Sequence, residues 1–413
     1  MKERTKRKLR RSGTPREALF ASMRDMKARD ADWRGGRTWS LVYPASEDVD
    51  EVLRDAINLY LFENALNPFR FPSLRRMEAD VVSMTTTLLH GGDSAAGAMT
   101  SGGTESILLA VKTARDRARQ ERGITRPEMV VPRSAHPAFA KAAQYLCVDL
   151  KQVPLRDDLR ADVKAAAALI TAQTVLLVGS APSYPHGVID PIPELAALAA
   201  ARDIAFHTDA CVGGFLLPFL EQLGYAVPGF DFRVPGVTTI SADVHKYGYC
   251  TKGASVIAHR THTTLQHQMF LYDQWPGGLY GSAAMAGTRP AAPIAAAWAV
   301  MNYLGEAGYL RLQSVVMETT RKLRAGIEAI AGLHIWGDPD ASLLAFGSDQ
   351  FDIRAVADVM DDRGWHLDRQ ENPAALHMMV TPNHAKIIDA FLADLRDAVT
   401  HHGMSHGVEA RYS

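Results

Sequence analysis

A lysine shortly after a predicted strand is the first residue of this sequence whose position suggests chemistry. Lys246 lies in the segment SADVHKYGY at 241–249, just after the run from Val237 to Ile240. Open α/β sheets bind their ligands beyond the carboxyl ends of the strands. A lysine in such a place can form a Schiff base with an aldehyde cofactor if its amine is partly deprotonated. Most lysines are solvated surface residues, so Lys246 alone leaves both interpretations open.

A carboxylate occupies a matching position on an earlier predicted strand. Asp209 ends the run that begins at Ile204, and Gly213 and Gly214 follow it. Pyridoxal phosphate (PLP) needs a carboxylate on its pyridinium nitrogen, because the protonated ring is the better electron sink. The alternative is that Asp209 caps the next helix. Asp209 ahead of Lys246, both at strand ends, is the order expected of fold-type-I PLP enzymes.

Two further segments could complete a cofactor site. In TSGGTES at 100–106, the glycines Gly102 and Gly103 would let the backbone approach a phosphate at a helix start, and Thr104 would add a hydroxyl donor. An ordinary helix cap is the alternative for this segment. His136 lies between a strand-like run and a helix, where its ring could stack on a planar cofactor, although a lone histidine is more often structural.

The elements that must position these residues predict an α/β fold. From about residue 100, helix-like segments and β-rich runs alternate, at 104–121, 128–132, 137–146, 174–178, 191–202, 204–208, 212–222, 237–241 and 254–258. Such alternation predicts a mostly parallel sheet with helices on both faces. Helical patterns at 291–304 and 309–331 then lead into an α+β tail with strands at 342–346 and 376–381 and a closing helix at 384–401.

We therefore predict three domains. They are a basic arm with an N-terminal helical segment (1–65), a large cofactor-binding domain (66–290) and a smaller C-terminal α+β domain (291–413). Helical patterns at 48–64 and 73–90 flank the first boundary.

Composition narrows the functional classes. The chain has 413 residues and a formal net charge of −1, which gives no reason to expect a nucleic-acid partner. Its three cysteines form neither a disulfide framework nor a zinc motif, and this favours a reducing compartment. No apolar run reaches the roughly 18 residues of a membrane span. No metal is expected.

The start of the chain is strongly basic. Its cations are Lys2, Arg4, Lys6, Arg7, Lys8, Arg10 and Arg11. Such a segment is typical of a solvated, mobile arm. The other interpretation is peripheral attraction to an anionic membrane surface.

Five segments together resemble the sphingosine-1-phosphate lyases, a family within the PLP-dependent group II decarboxylase superfamily. The resemblance extends from about residue 39 to 400. Its most specific pieces are TSGGTESILLA at 100–110, PHGVIDPIPE at 185–194, HTDACVGGF at 207–215, SADVHKYGY at 241–249 and AGTRP at 286–290. The resemblance implies a fold-type-I PLP-dependent transferase-like architecture with the smaller C-terminal domain.

The resemblance also implies roles around the cofactor. It implies that PLP is attached to Lys246, that Asp209 pairs with the pyridinium nitrogen and that His136 stacks on the ring. The groups that it implies for the cofactor phosphate are Gly103, Thr104, His245 and, contributed from a partner subunit, Ser282. A homodimer with shared active sites follows from this.

For the substrate, the resemblance implies that Lys252 binds a phosphate and that Tyr43 reaches this phosphate from the other subunit. Tyr184 is expected near the reacting hydroxyl. Where the family typically has a His-Pro-Asp loop, this chain has Asn67-Pro68-Phe69, followed by Arg70. Compared with that loop, this chain lacks the histidine, which titrates near neutrality, and has the positive charge of Arg70 nearby. Either Arg70 retains the binding of a substrate phosphate, or the enzyme prefers a different substrate.

The function implied is retro-aldol Cα–Cβ cleavage of sphingosine 1-phosphate, a phosphorylated sphingoid base, to a fatty aldehyde and phosphoethanolamine. The nearest alternative is an amino-acid decarboxylase of the same superfamily. An alternative of another class is a non-catalytic PLP-binding scaffold. Because the chain lacks the membrane anchor of eukaryotic members, we expect a soluble, cytoplasmic, bacterial-like form.

Overall fold

The computed structural model describes residues 8–67, 69–405, 407 and 410. The first part of the basic arm, with Lys2, Arg4, Lys6 and Arg7, and Pro68 of the departing loop lie outside these residues. The helices are α1 (Arg16–Lys27), α2 (Glu47–Leu59), α3 (Pro72–Leu88), α4 (Gly103–Arg122), α5 (Ala138–Leu146), α6 (Val163–Leu169), α7 (Ile192–Ala200), α8 (Leu217–Gln222), α9 (His262–Gln266), α10 (Ala292–Glu328), α11 (Ile353–Asp362) and α12 (Ile388–His401).

The strands form three sheets. They are β1 (Ala96–Thr100), β2 (Glu128–Pro132), β3 (Asp149–Val153), β4 (Thr174–Ser180), β5 (Ala205–Asp209), β6 (Thr239–Ala242), β7 (Ser255–His259), β8 (Phe270–Tyr272), β9 (Tyr280–Ser282), β10 (His334–Ile335), β11 (Leu343–Gly347), β12 (Asp368–Gln370) and β13 (Ala375–Met379). Strands β8 and β9 pair only with each other, as a hairpin.

The central sheet has seven strands in the order β1-β7-β6-β5-β4-β2-β3. Strand β7 is antiparallel to both of its neighbours, and the other neighbouring pairs are parallel. Because β7 reverses direction between them, β1 and β6 run the same way. The carboxyl ends of β1, β2, β4, β5 and β6 therefore meet at one edge of the sheet. Every residue of β4 is buried, as expected for a strand covered by helices on both faces.

The C-terminal region forms a second, antiparallel sheet in the order β10-β11-β13-β12. Its core also contains a residue from far upstream, because Trp39 is fully buried there and stacks on His384 with ring centroids 4.1 Å apart. The predicted mostly parallel sheet with a smaller C-terminal domain is thus confirmed. The domain boundaries at 65 and 290 stay a prediction.

The long helix α10 combines two helices that the sequence predicts separately. Gly305 interrupts it with φ 52° and ψ −175°, a conformation that glycine adopts without a steric penalty. Helix α1 was not predicted, although Leu19, Phe20, Met23 and Met26 recur in it at helical spacing; none of its residues is buried in the single chain. Among the described helices, none is long and apolar enough to cross a membrane.

The loop after β4 docks tightly on the C-terminal sheet. Gly187 has a φ of 70°, and a Cβ atom added to it would overlap the carbonyl oxygen of Leu343. The backbone N–H of Asp340 donates to the carbonyl oxygen of Gly187 at 3.0 Å, and Gln370 Nε2 donates to that of Pro185 at 2.9 Å. This docking fixes the position of Tyr184, which precedes Pro185.

We predict that Gly187→Ala destabilises the protein by about 2–5 kcal/mol, because it adds a strained positive φ to an overlap with backbone. Gly123→Ala is the matched control, since Gly123 has a φ of 65° but nothing within 4 Å of the added Cβ. The control should lose only about 1–2 kcal/mol. Thermal unfolding of both variants checks this. Equal losses would show that the docking of the loop is not tight.

Candidate active site

A cavity of about 270 Å³ lies at the edge of the sheet where the five strand ends meet. It brings together most of the predicted site residues, namely Gly103, Thr104, His136, Tyr184, Asp209, His245 and Lys246. Asp209 is the last residue of β5, and the others lie just after the ends of β1, β2, β4 and β6. The order of the strands in space therefore assembles residues that are far apart in the sequence.

Lys246 is held by a carboxylate. Its Nζ lies 3.1 Å from Asp243 Oδ2, and the Asp243 side chain is only 2% exposed. Burial acts to raise the pKa of Asp243, but the charges of Lys246 and His245 outweigh it and leave that pKa below its usual range. Asp243 is therefore a carboxylate that fixes the amine of Lys246 at the cavity wall.

Asp209 ends β5 and is held in a defined orientation. Its Oδ1 accepts hydrogen bonds from the backbone N–H of Cys211 and from Ser241 Oγ, both at 3.1 Å. The next helical turn has Val212 at its N-cap, without a side-chain cap. Asp209 thus does not cap that helix, and its carboxylate faces the cavity that Lys246 also lines.

His136 presents a neutral ring. Its Nδ1 accepts the backbone N–H of Ala138 at 3.1 Å, which places the ring proton on Nε2. Burial lowers the pKa of His136, and the opposing charge of Asp209 does not cancel this. A neutral imidazole at the cavity wall is suited to stack on a planar ring without adding charge to it.

The glycine loop stands at the N-terminus of α4, where backbone amides without intrahelical partners attract anions. Glu105 holds this loop, because it accepts hydrogen bonds from Ser101 N at 2.7 Å and Ser101 Oγ at 2.6 Å. It also accepts one from Met285 N at 2.7 Å, which ties the loop to the segment after β9. A Cβ atom on Gly103 would lie 2.6 Å from Cys211 Sγ, so only glycine fits there.

Lys252 lies beside this group. Its Nζ donates to the carbonyl oxygen of His245 at 3.0 Å and lies 4.6 Å from the ring centroid of Tyr43. Although the residue as a whole is exposed, burial of the amine and the charge of Lys246 lower its pKa to about 8. Tyr43 thus approaches Lys252 of its own chain, and its expected reach into a partner's site stays a prediction.

The other predicted substrate and phosphate residues lie elsewhere. Among the residues that line a groove of about 640 Å³ are Asn67 and Ser282. The side chain of Asn67 is engaged locally, because Oδ1 accepts the backbone N–H groups of Phe69 and Arg70 at 3.0 and 3.2 Å. Arg70 is exposed. Their roles, like that of Ser282 in a partner's site, stay predictions.

The cavity is also lined by residues for which no role was predicted. Asp243 stands three positions before Lys246 in the segment 241–249, and this spacing could have indicated that its carboxylate pairs with the lysine. No such spacing marks Ser180 at the end of β4. The Oγ atom of Ser180 and Oδ1 of Asp243 are buried and make no hydrogen bond to the described part of the chain. Buried polar atoms of this kind suit a polar ligand, so the cavity fits a phosphorylated, ring-shaped cofactor.

Comparisons with known proteins agree with this geometry. A family model for the pyridoxal-dependent decarboxylase conserved domain matches residues 40–348. The sphingosine-1-phosphate lyase of Oryza sativa subsp. japonica is 46% identical over 388 residues, which cover 92% of this chain and 72% of that protein. The solved structure of a Burkholderia pseudomallei sphingosine-1-phosphate lyase has a TM-score of 0.93 and 42% identity, over 96% of this chain and 93% of that one.

A glutamate decarboxylase structure from Lactobacillus brevis, at 21% identity, has a TM-score of 0.85 over 98% of this chain and 96% of that one, and shares the fold. Fold and site together define a PLP-dependent enzyme of fold type I. The predicted cofactor is thereby confirmed. Within that class, the chain belongs to the sphingosine-1-phosphate lyase family, as the five sequence segments predict.

We predict that Lys246→Ala abolishes covalent attachment of PLP. The purified variant, mixed with PLP and then desalted, should lack the visible absorption band of the lysine-bound cofactor and should show no turnover. Lys141→Ala removes a lysine that lies over the ring of Tyr145 and should retain the band. A persistent band in the Lys246 variant would assign the attachment to another lysine.

Proposed function

We propose that this protein is a lyase that cleaves the Cα–Cβ bond of a phosphorylated long-chain amino alcohol, with sphingosine 1-phosphate as the model substrate. The supporting observation is a second amine, that of Lys252, which donates to the carbonyl oxygen of His245 beside a PLP cavity that already contains its own phosphate-binding loop. One phosphate site suffices for the cofactor. A second cation next to the cavity fits a substrate that carries a phosphate of its own.

In the proposed reaction, Asp209, Lys246 and Tyr184 have separate roles. Bound PLP supplies an electron sink for the pair left on Cα when the bond breaks. Asp209 keeps the pyridine nitrogen protonated, and Lys246 holds the cofactor until the substrate amine replaces it. The proton of the substrate 3-hydroxyl passes to the oxygen of Tyr184 while the phenolic hydrogen of Tyr184 moves to its acceptor, Asp368 Oδ2, and the substrate oxygen keeps the electron pair that becomes the carbonyl bond of the aldehyde.

The released lysine is the proposed acid for the second product. Lys246 Nζ, held at the cavity wall by Asp243, would protonate Cα, and the same amine would hold the cofactor again once phosphoethanolamine has left. Lys252 fixes the substrate phosphate throughout. Fixing both ends of the substrate aligns the scissile bond and reduces the entropy that must be lost in the transition state.

We also propose that the enzyme is a homodimer. The hairpin that contains Ser282 exposes Leu271, Trp275 and Leu279, which are 66%, 54% and 74% exposed in the single chain. Apolar side chains grouped in this way are typical of a protein interface. The resemblance implies that Ser282 of the partner subunit lies at the cofactor phosphate, and Asn67, which lines the same groove as Ser282, would then lie near the partner's site together with the neighbouring Arg70.

The basic arm keeps both of its interpretations. Contact of the arm with an anionic membrane stays a prediction, because residues 1–7 lie outside the described part of the chain. The expected cytoplasmic location also stays a prediction. The described cations Arg10 and Arg11 are exposed, which suits either a solvated arm or a peripheral contact.

We predict that the PLP-loaded enzyme converts sphingosine 1-phosphate to a fatty aldehyde and phosphoethanolamine in equal amounts, without carbon dioxide. Shorter phosphorylated amino alcohols, tested in parallel, report the chain-length preference. Mass spectrometry of the aldehyde and a carbon dioxide assay separate the possibilities. Carbon dioxide from amino acids would indicate a decarboxylase, and bound PLP without any turnover would indicate a scaffold.

We predict that Lys252→Ala raises KM for the phosphorylated substrate about 10- to 100-fold, the cost of one charge-assisted hydrogen bond. An unphosphorylated analogue should be affected far less. In the wild type, phosphate affinity should fall as the pH rises through about 8, because Lys252 loses its charge there. That dependence should disappear in the variant. Lys322→Ala, on the exposed face of α10, is the control, and equal losses for both substrates would remove Lys252 from phosphate binding.

A further inference from the structure

Tyr184 connects the cofactor cavity with the C-terminal sheet. It lines the cavity, yet its hydroxyl donates to Asp368 Oδ2 at 3.0 Å, and its ring centroid lies 4.4 Å from that of His377. Asp368 is on β12 and His377 is on β13, so both belong to the smaller domain. Strands remote from the cofactor thus contact a residue at the reaction centre.

Asp368 and His377 form a pair that the sheet itself sets up. They are direct partners in the register of the antiparallel strands β12 and β13, and His377 Nδ1 lies 3.9 Å from Asp368 Oδ2. Burial acts to raise the pKa of Asp368, but His377, followed by the hydroxyls of Tyr184 and Ser40, outweighs it and leaves that pKa lowered. Asp368 is therefore a carboxylate, and so an acceptor only.

His377 lies beside Asp368 at a distance longer than a hydrogen bond. It is fully buried, and within the described part of the chain neither ring nitrogen has a hydrogen-bond partner. A buried imidazole without hydrogen bonds destabilises the folded state, because its nitrogens have lost their hydrogen bonds to water. An apolar side chain in the same place would not have this desolvation penalty. His186, from the loop of Tyr184, is also buried beside it, and burial together with His377 lowers the pKa of His186 to about 4. This polar cluster behind Tyr184 is better explained by function than by packing.

We propose that Asp368, backed by His377, sets the hydrogen-bonding direction of Tyr184. Because Asp368 accepts the phenolic hydrogen, Tyr184 presents the lone pairs of its oxygen to the cavity. A substrate hydroxyl is then met by an acceptor, which is what removal of its proton requires. Asp368 and His377 are positioning residues that act through Tyr184. This inference rests on the proposed function, in which Tyr184 receives the proton of the 3-hydroxyl.

Asp368→Asn reverses this polarity while it preserves the shape of the side chain. The new amide can donate a hydrogen to the Tyr184 oxygen, so the phenolic hydrogen turns toward the cavity. With PLP-loaded enzyme, we expect kcat to fall about 100-fold, the scale of a general-base contribution, with KM within about threefold. Asp361→Asn, which removes a surface partner of Arg369 in the same domain, is the control and should keep kcat.

A double-mutant cycle distinguishes positioning from a structural role. If Asp368 acts through Tyr184, the variant with both Tyr184→Phe and Asp368→Asn should be no slower than Tyr184→Phe alone. Multiplied losses, or a normal kcat in Asp368→Asn, would overturn the proposal. Absence of turnover in the wild type would instead remove the proposed function.

A measurement without turnover tests the hydrogen bond itself. The holoenzyme is labelled with tyrosine carrying ¹³C at Cζ, and the Tyr184 signal is assigned by its loss in Tyr184→Phe. Asp368→Asn should move this signal, because the oxygen changes from donor to acceptor toward its neighbour, whereas Asp361→Asn should leave it in place. A signal that does not move in Asp368→Asn would refute the proposal, whatever the substrate proves to be.

Discussion

The common direction of five strands in the central sheet is the constraint on which the site depends. Strands β1, β2, β4, β5 and β6 end at one edge, and the single reversed strand, β7, leaves that edge intact. The strand ends and the loops that follow them bring side chains such as Lys246 and Asp209 to the wall of one cavity. Backbone pairing fixes these positions more firmly than loops could, which is what electrostatic preorganisation in an active site requires.

The smaller domain completes this arrangement. The loop after β4 is anchored by Asp340 and Gln370, and Tyr247, next to the cofactor lysine, donates its hydroxyl hydrogen to the carbonyl oxygen of Val380 at 2.8 Å. Movement of the C-terminal sheet would therefore disturb both sides of Lys246. We infer that the two domains act as one unit around the cofactor.

Much of the fold could be predicted because burial leaves a pattern in the sequence. Buried parallel strands such as β4 are largely apolar runs, and Asp209 ends one strand while Lys246 lies in the loop after another. Helix α1 buries none of its residues in the single chain, and its four large apolar residues are too few and too exposed to mark a core element. The contact of Tyr184 with Asp368 depends on the packing of two domains, and no local spacing encodes that. Contacts with a partner subunit also depend on packing between separate parts, so local sequence patterns do not predict them either.

The lowered pKa of Lys252 has a thermodynamic consequence for ligand recognition. In the proposed role of Lys252, a bound phosphate dianion raises this pKa from about 8, so that the amine takes up a proton near that pH. Binding therefore takes up protons from the solvent, and the heat measured for it includes the ionisation heat of the buffer. The enzyme thus couples recognition of its ligand to the proton concentration around it.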